Sequence, residues 1–154
     1  MGQSRTAAEQ LAKYLSPRMR TAEEAKQHLR DKGFDEAEIR ETVNEFIRLG
    51  YLNDADYVRA YCEYAYDKKR GRKRIARELE QKGISPDVIR DGIDDFVYEN
   101  HVNEDAAAQQ IADRVLDEAA QPAGRRQAAK IARKLEGLGY ESGTILRVLD
   151  RIKE

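Results

Sequence analysis

The chain repeats itself. HLRDKGFDEAEIRETVNEFIRLGYLND, from His28, and ELEQKGISPDVIRDGIDDFVYENHVNE, from Glu78, align at a constant offset of 50 residues. Leu29 then falls on Leu79, Gly33 on Gly83, Ile39 on Ile89, Val43 on Ile93 and Phe46 on Phe96, while upstream Tyr14 falls on Tyr64 and Arg20 on Arg70. A third copy, KLEGLGYESGTILRVLDRIKE from Lys134, places Leu135, Gly139, Ile145, Leu149 and Ile152 in the same roles at an offset of 56. The six extra residues fall within DEAAQPAGRRQ, which reads as a longer loop. Self-similarity at this period confines the chain to repeat architectures, in which a unit too small to bury its own apolar face buries it against the next.

Each copy divides into three amphipathic helical segments. In the middle copy the first starts near Asp54 and sets Val58, Tyr61, Cys62 and Ala65 on one face. The second, near Arg72 to Lys82, buries Ile75, Ala76 and Leu79, and the third buries Ile89, Ile93, Phe96 and Val97. Gly83 stands where a helix needs a left-handed residue after its last turn, and Ile84 supplies the apolar closing contact. Ser85-Pro86 restarts the chain as an N-cap followed by a first-turn proline. In the first copy Thr6 with Glu9, Thr21 with Glu24 and Asp35 with Glu38 have capping-box spacing, and Gly33 and Gly50 end helices. No segment alternates with a period of two, so strands are not expected. The expectation is an all-α fold: an elongated, curved array of three tandem three-helix repeats over residues 1–53, 54–103 and 104–154, forming one continuous repeat domain. Ile75, Leu79, Gly83, Ile89, Ile93 and Phe96 are assigned to its core.

Composition agrees with wet-faced helices: 37% of residues are charged, against about 25% in an average protein, yet 40% are apolar, too many for disorder. The single cysteine, Cys62, excludes an intrachain disulfide. The opening MGQSRTAAEQ lacks the apolar stretch of a secretory leader, and no run approaches the roughly 18 apolar residues of a membrane span. A soluble, intracellular protein is expected.

The net charge is only −1, but it is unevenly spread. From Tyr66 to Lys82 there are eight basic and three acidic residues, a balance of +5. Lys73, Arg74 and Arg77 lie opposite the Ile75/Leu79 face on a helical wheel, an exposed positive stripe that Lys68, Lys69 and Arg70 extend in the preceding turn. From Ser85 to Asp105 the balance is −6, with Asp87, Asp91, Asp94 and Asp95 on one face. A second basic group, Arg125, Arg126, Lys130, Arg133 and Lys134, lies on the corresponding helix of the third copy. Such runs read either as solvated helix faces or as a surface for a partner of complementary charge, whether nucleic-acid phosphate or an acidic protein.

Little else suggests chemistry. Tyr57, Tyr61 and Tyr64 follow helical spacing and are expected to pack in the core or between repeats. Tyr66 falls off that face and is the aromatic candidate for a partner contact or base stacking. Cys62 reads as a small buried apolar residue; a catalytic thiol wants a histidine and an orienting group beside it, and His28 and His101 lie elsewhere in their repeats. There is no metal-ligand spacing, phosphate loop or nucleophile elbow. No cofactor and no enzymatic activity are expected.

Three segments carry a family resemblance. Leu52-Asn53-Asp54-Ala55-Asp56-Tyr57-Val58 is similar to the "LnDerfA" opening of a repeat in the RecX family. Arg70 to Ile84 resembles that family's central "rG..rI..eL..kGi" signature, and Ala132 to Tyr140 resembles its "KL...L..rGf" segment. The likeness runs through nearly the whole chain in the family's order, although Thr21 stands in the first copy where the second has Gly71. The resemblance implies a cytoplasmic, non-enzymatic protein, expected to be monomeric, that binds the RecA recombinase or its DNA filament and modulates, chiefly by inhibition, recombination and ATP hydrolysis. Direct contact with single- or double-stranded DNA is compatible with it. Carried over by position, the central signature assigns Arg70, Arg72, Lys73, Arg74 and Arg77 to filament contact.

Overall fold

A computed structural model describes residues 5–119 and 124–152. Among these residues are nine α-helices and no strand: α1 (Ala7–Leu15), α2 (Ala22–Asp31), α3 (Glu36–Arg48), α4 (Asp54–Asp67), α5 (Arg72–Gln81), α6 (Pro86–Glu99), α7 (Glu104–Glu118), α8 (Arg125–Leu138) and α9 (Ser142–Ile152). The fold is all-α, in three successive sets of three helices. The longer loop expected within DEAAQPAGRRQ is trimmed at both ends, because α7 continues through Glu118 and α8 begins at Arg125. The rest of that segment, residues 120–123, lies outside the described residues.

Local punctuation sets the helix ends. Thr6 and Thr21 each form a complete capping box with the glutamate three residues on. Asp35 caps one way: its side chain accepts from the Glu38 N–H at 2.8 Å. After α5, Gly83 has φ +87°, with Gly83 N donating to Glu80 O and Ile84 N to Leu79 O. Gly83 is exposed rather than part of the core; its backbone conformation, not burial, sets its identity. Two equivalent turns place non-glycine residues in the left-handed region, Lys69 after α4 (φ 63°) and His101 after α6 (φ 52°).

The chain forms two compact units, one built from residues up to Ala60 with Leu79–Gly92, the other from Tyr61–Glu78 with Ile93 onward. In the first, α1, α2 and α3 pack on one another around Ala7, Leu11, Ala25, Leu29, Ile39, Val43 and Leu52. Thr21 is fully buried there: its hydroxyl accepts from Glu24 N at 3.1 Å and donates to Lys82 O at 2.8 Å. Asp54, the first residue of α4, caps α2 by accepting from Ala22 N at 2.9 Å.

In the second unit α7, α8 and α9 pack together around Ala108, Ala112, Val115, Ile131, Leu135, Tyr140 and Val148. Ile145, Leu149 and Ile152 are partly buried against this cluster, while Thr144 and Val148 point further in. The register of α9 is thus turned by about one position from that expected. Two polar ties to α7 orient it: Arg147 pairs with Asp105 at 2.8 Å, and Arg151 donates to Gln109 at 3.1 Å. Ile75, Ile93 and Phe96 are also buried in this unit, and Leu79 and Ile89 in the other.

The same capping device recurs at Glu104, which heads α7 as Asp54 heads α4. One carboxylate oxygen accepts from Arg72 N at 3.0 Å and caps α5; the other accepts from the Tyr66 hydroxyl at 2.9 Å. The turn before α5 is docked on the end of α8 by backbone alone: Gly71 N donates to Leu138 O at 2.7 Å and Lys73 N to Gly139 O at 3.0 Å. A Cβ at Gly71 would stand 2.5 Å from the Gly139 carbonyl, which is why the basic signature carries glycine there.

Candidate functional site

The basic run from Lys68 to Arg77 separates into two groups. Arg70, Arg72 and Arg74 are held inside the fold. The Arg70 guanidinium lies 3.3 Å from Glu78 Oε1 with only 17% of the side chain exposed, donates to the Tyr61 hydroxyl at 3.4 Å and covers the Tyr64 ring at 5.2 Å. Arg72 pairs with Asp94 at 2.7 Å. Arg74 pairs with the other oxygen of Glu78 at 3.3 Å and reaches Gly137 O at 3.4 Å. Glu78 therefore gathers two arginines and a phenol. Burial pushes its carboxyl up, but the Tyr61 hydroxyl and the Arg74 and Arg70 guanidiniums outweigh this and hold it below the ordinary carboxylate range. Lys68, Lys69, Lys73 and Arg77 are exposed.

Tyr66 and Tyr64 depart from expectation, whereas Tyr57 is buried. Tyr66 is not a free aromatic: its ring stacks on Phe96 at 5.8 Å between centroids, and its hydroxyl is bound by Glu104. Burial, then the Glu104 charge, raise its pKa well above that of a free phenol. Tyr64, expected to pack, is about half exposed, serving as the platform under Arg70. Cys62 is fully buried, and burial pushes its thiol up to about 12, so it is no nucleophile near neutral pH.

In the second unit Lys68 and Lys69 join two further cations around a cleft of about 240 Å³. Lys68 and Lys69 enter from the turn after α4, Ala107, Gln110, Ile111 and Arg114 from α7, and Lys134 and Leu138 from α8. The α7 residues recur at three- and four-residue spacing and so share one helix face; Lys134 and Leu138 are one turn apart on α8. The Lys68-Lys69 turn is fixed from outside, since the Tyr140 hydroxyl donates to Lys69 O at 2.8 Å. Among the described residues none of Lys68, Lys69, Arg114 and Lys134 forms an ion pair; Lys68 alone meets an aromatic face, that of Tyr64 at 5.9 Å. Four like charges around one small cleft make a strongly positive local potential that an anion relieves.

Of the second basic group only Lys134 lines the cleft; Arg125, Arg126, Lys130 and Arg133 are exposed elsewhere on α8. Arg114 was not singled out by sequence, because it sits alone in an α7 rich in acids; its spacing from Ala107 and Ile111 was the available signal. Lys134 has a telling counterpart. At the repeat offset of 56 it stands where the middle copy has Glu78. The acid that pairs with Arg70 and Arg74 in one copy is thus a base in the next. Among the described residues no group of three or more His, Cys, Asp or Glu side chains could hold a metal ion, and no helix is long and apolar enough to cross a membrane.

Comparison with known proteins decides the family. The family model described as the first three-helix domain of RecX matches residues 7–46, and that of the second matches residues 53–93. The chain belongs to the RecX family. The two matches cover α1, α2 and most of α3, then α4, α5 and half of α6, in the order that the motif resemblance implies. A regulatory protein RecX of Bacillus velezensis is 30% identical over 92 residues, 59% of this chain and 35% of that protein. Regulatory protein RecX of Bacillus subtilis (strain 168) is 26% identical over 141 residues, 91% of this chain and 52% of that one. The chain thus spans about half the length of several curated relatives that it matches. The crystal structure of RecX from Lactobacillus salivarius shares the fold, with a TM-score of 0.83 at 22% identity over 96% of this RecX-family chain and 94% of that one.

Proposed function

We propose that this RecX-family chain is a non-enzymatic cytoplasmic regulator that binds RecA, free or as its DNA filament, and inhibits its recombinase and ATPase activities. Its three-helix sets, over 1–53, 54–103 and 104–154, serve as consecutive contact modules on a polymeric target. The observation that carries the reading is the ordered match to two successive RecX domains together with a basic surface that the fold does not neutralise. Arg70, Arg72 and Arg74 already have acidic partners, so the contact falls to Lys68, Lys69, Lys73, Arg77, Arg114 and the α8 group. Surface charge of this kind speeds encounter and fixes register.

The test is a titration of RecA's DNA-dependent ATP hydrolysis with substoichiometric protein. Inhibition that weakens several-fold in Lys73→Glu/Arg77→Glu, with helicity unchanged, is the expected result. An unaltered ATPase with the wild-type chain refutes the reading. Binding to bare DNA with a steep salt dependence, in the absence of any effect on RecA, would replace it with a nucleic-acid module.

A further inference from the structure

We infer that the cleft lined by Lys68, Lys69, Arg114 and Lys134 is a docking site for an acidic protein segment that sets an apolar side chain between its carboxylates. The inference deepens the RecA reading, on which it rests for the partner's identity alone.

The floor decides the class of ligand. Cations do not distinguish carboxylate from phosphate, but Ala107, Ile111 and Leu138 lie among them. A phosphodiester chain has nothing to seat on an aliphatic floor, and a nucleobase is held by stacking on aromatic rings, none of which lines the cleft. A peptide carries both chemistries a few ångströms apart. The volume of about 240 Å³ falls below the roughly 300–1,000 Å³ that encloses a cofactor or drug-sized ligand, and so suits a short segment gripped at one residue.

The site is also what the repeat leaves unsatisfied. In the middle copy Glu78 binds Arg70, Arg74 and Tyr61 from within. In the third copy the same position is Lys134, and no ion pair forms there among the described residues. A carboxylate from outside gives Lys134 and the cations beside it in the cleft the counter-charge that the fold does not. The turn that presents the lysines is held at a conformational cost, since Lys69 takes a left-handed φ of 63° where glycine would be easier.

The experiment uses the full chain and a fluorescein-labelled octapeptide in which a Leu-Phe pair is flanked on each side by three aspartates. Fluorescence anisotropy should show saturable binding, at least about 10-fold weaker in Arg114→Glu/Lys134→Glu and at least about 5-fold weaker when Gly-Gly replaces the Leu-Phe pair. Circular dichroism confirms that the variant is folded, and Lys134→Ala provides a milder second test. Absence of saturable binding overturns the proposal, as does equal affinity for both peptides. So does an oligothymidylate that displaces the peptide and loses affinity in the same variant, which would make the cleft a phosphate site. The RecA titration separates the two readings. Loss of peptide binding with RecA inhibition intact upholds the acidic-segment site and removes RecA as its occupant. Loss of inhibition in a chain whose wild type never bound the peptide overturns the proposal and leaves the RecA reading standing.

Discussion

Glu104 is the residue at which the packing makes its most measurable claim. Its two carboxylate oxygens serve different elements, one capping α5 through Arg72 N and the other accepting from Tyr66, whose ring is stacked on Phe96. Glu104→Ala removes both. Loss of the cap costs about 1 kcal/mol. The orphaned, half-buried tyrosine hydroxyl costs about 1–2 kcal/mol more. The sum is about 2–3 kcal/mol, or a fall in melting temperature of about 5–10 °C for a chain of this length. Asp54→Ala is the internal control: Asp54 makes the same cap to Ala22 N, and its loss should cost only about 1 kcal/mol. Urea titrations followed by far-ultraviolet circular dichroism give both values, and a double-mutant cycle with Tyr66→Phe isolates the hydroxyl bond at about 1 kcal/mol of coupling. If Glu104→Ala lies within about 0.5 kcal/mol of wild type, or adds to Tyr66→Phe without coupling, Glu104 does not join these elements.

Three further outcomes follow from single contacts. Gly71→Ala should destabilise by about 2 kcal/mol or more in the same urea assay, because its Cβ would meet the Gly139 backbone at 2.5 Å and backbone cannot swing aside. Lys69→Gly should raise stability by about 1 kcal/mol by relieving the left-handed strain while weakening octapeptide binding, a trade between fold and site that parallel melting and anisotropy measurements would expose. Glu78 has a lowered pKa in the fold, so its stabilising effect is complete above the ordinary value of 4.5 and fades as pH falls through the lowered one. Glu78→Gln should therefore lower stability near neutral pH and flatten the acid limb of urea midpoints measured from about pH 7 down to about pH 3.

What could be read from sequence was what is decided within one helix and its ends. Thr6, Thr21 and Gly83 act on residues three or four away, and their patterns announce themselves. Contacts between distant segments do not. Asp54 and Glu104 each cap a helix some 32 residues earlier, which no local pattern marks. Gly71 gave no sign in sequence of its constraint, which is the Gly139 backbone. The helical wheel put Arg74 in solvent because a wheel knows one helix; α8 offers it Gly137 O, and Glu78 lies one turn along. The wheel misplaced Tyr66 for the same reason. Being off the apolar face of α4 exposes a side chain only if no second element packs there, and Phe96 and Glu104 do.

Repetition converts this blind spot into a means of locating function. Copies that share a scaffold share its internal demands, so a position that changes charge between copies has been released from those demands or given another. Lys134 falls on Glu78, and Arg114 falls on Tyr64 at the offset of 50. In the middle copy those two positions hold Arg70 from either side, by ion pair and by ring face. In the third copy both are cations, and both line the cleft. Two of its four charges thus occupy places that elsewhere hold a cation, one by counter-charge and one by ring face, and folding alone does not require a cation at either. The arginines of the central signature were the more conspicuous run, yet three of them are spent on Glu78 and Asp94. In a repeat protein the motif that copies share records mostly how the chain holds itself together, and the positions where they differ are the ones at which to look for a partner.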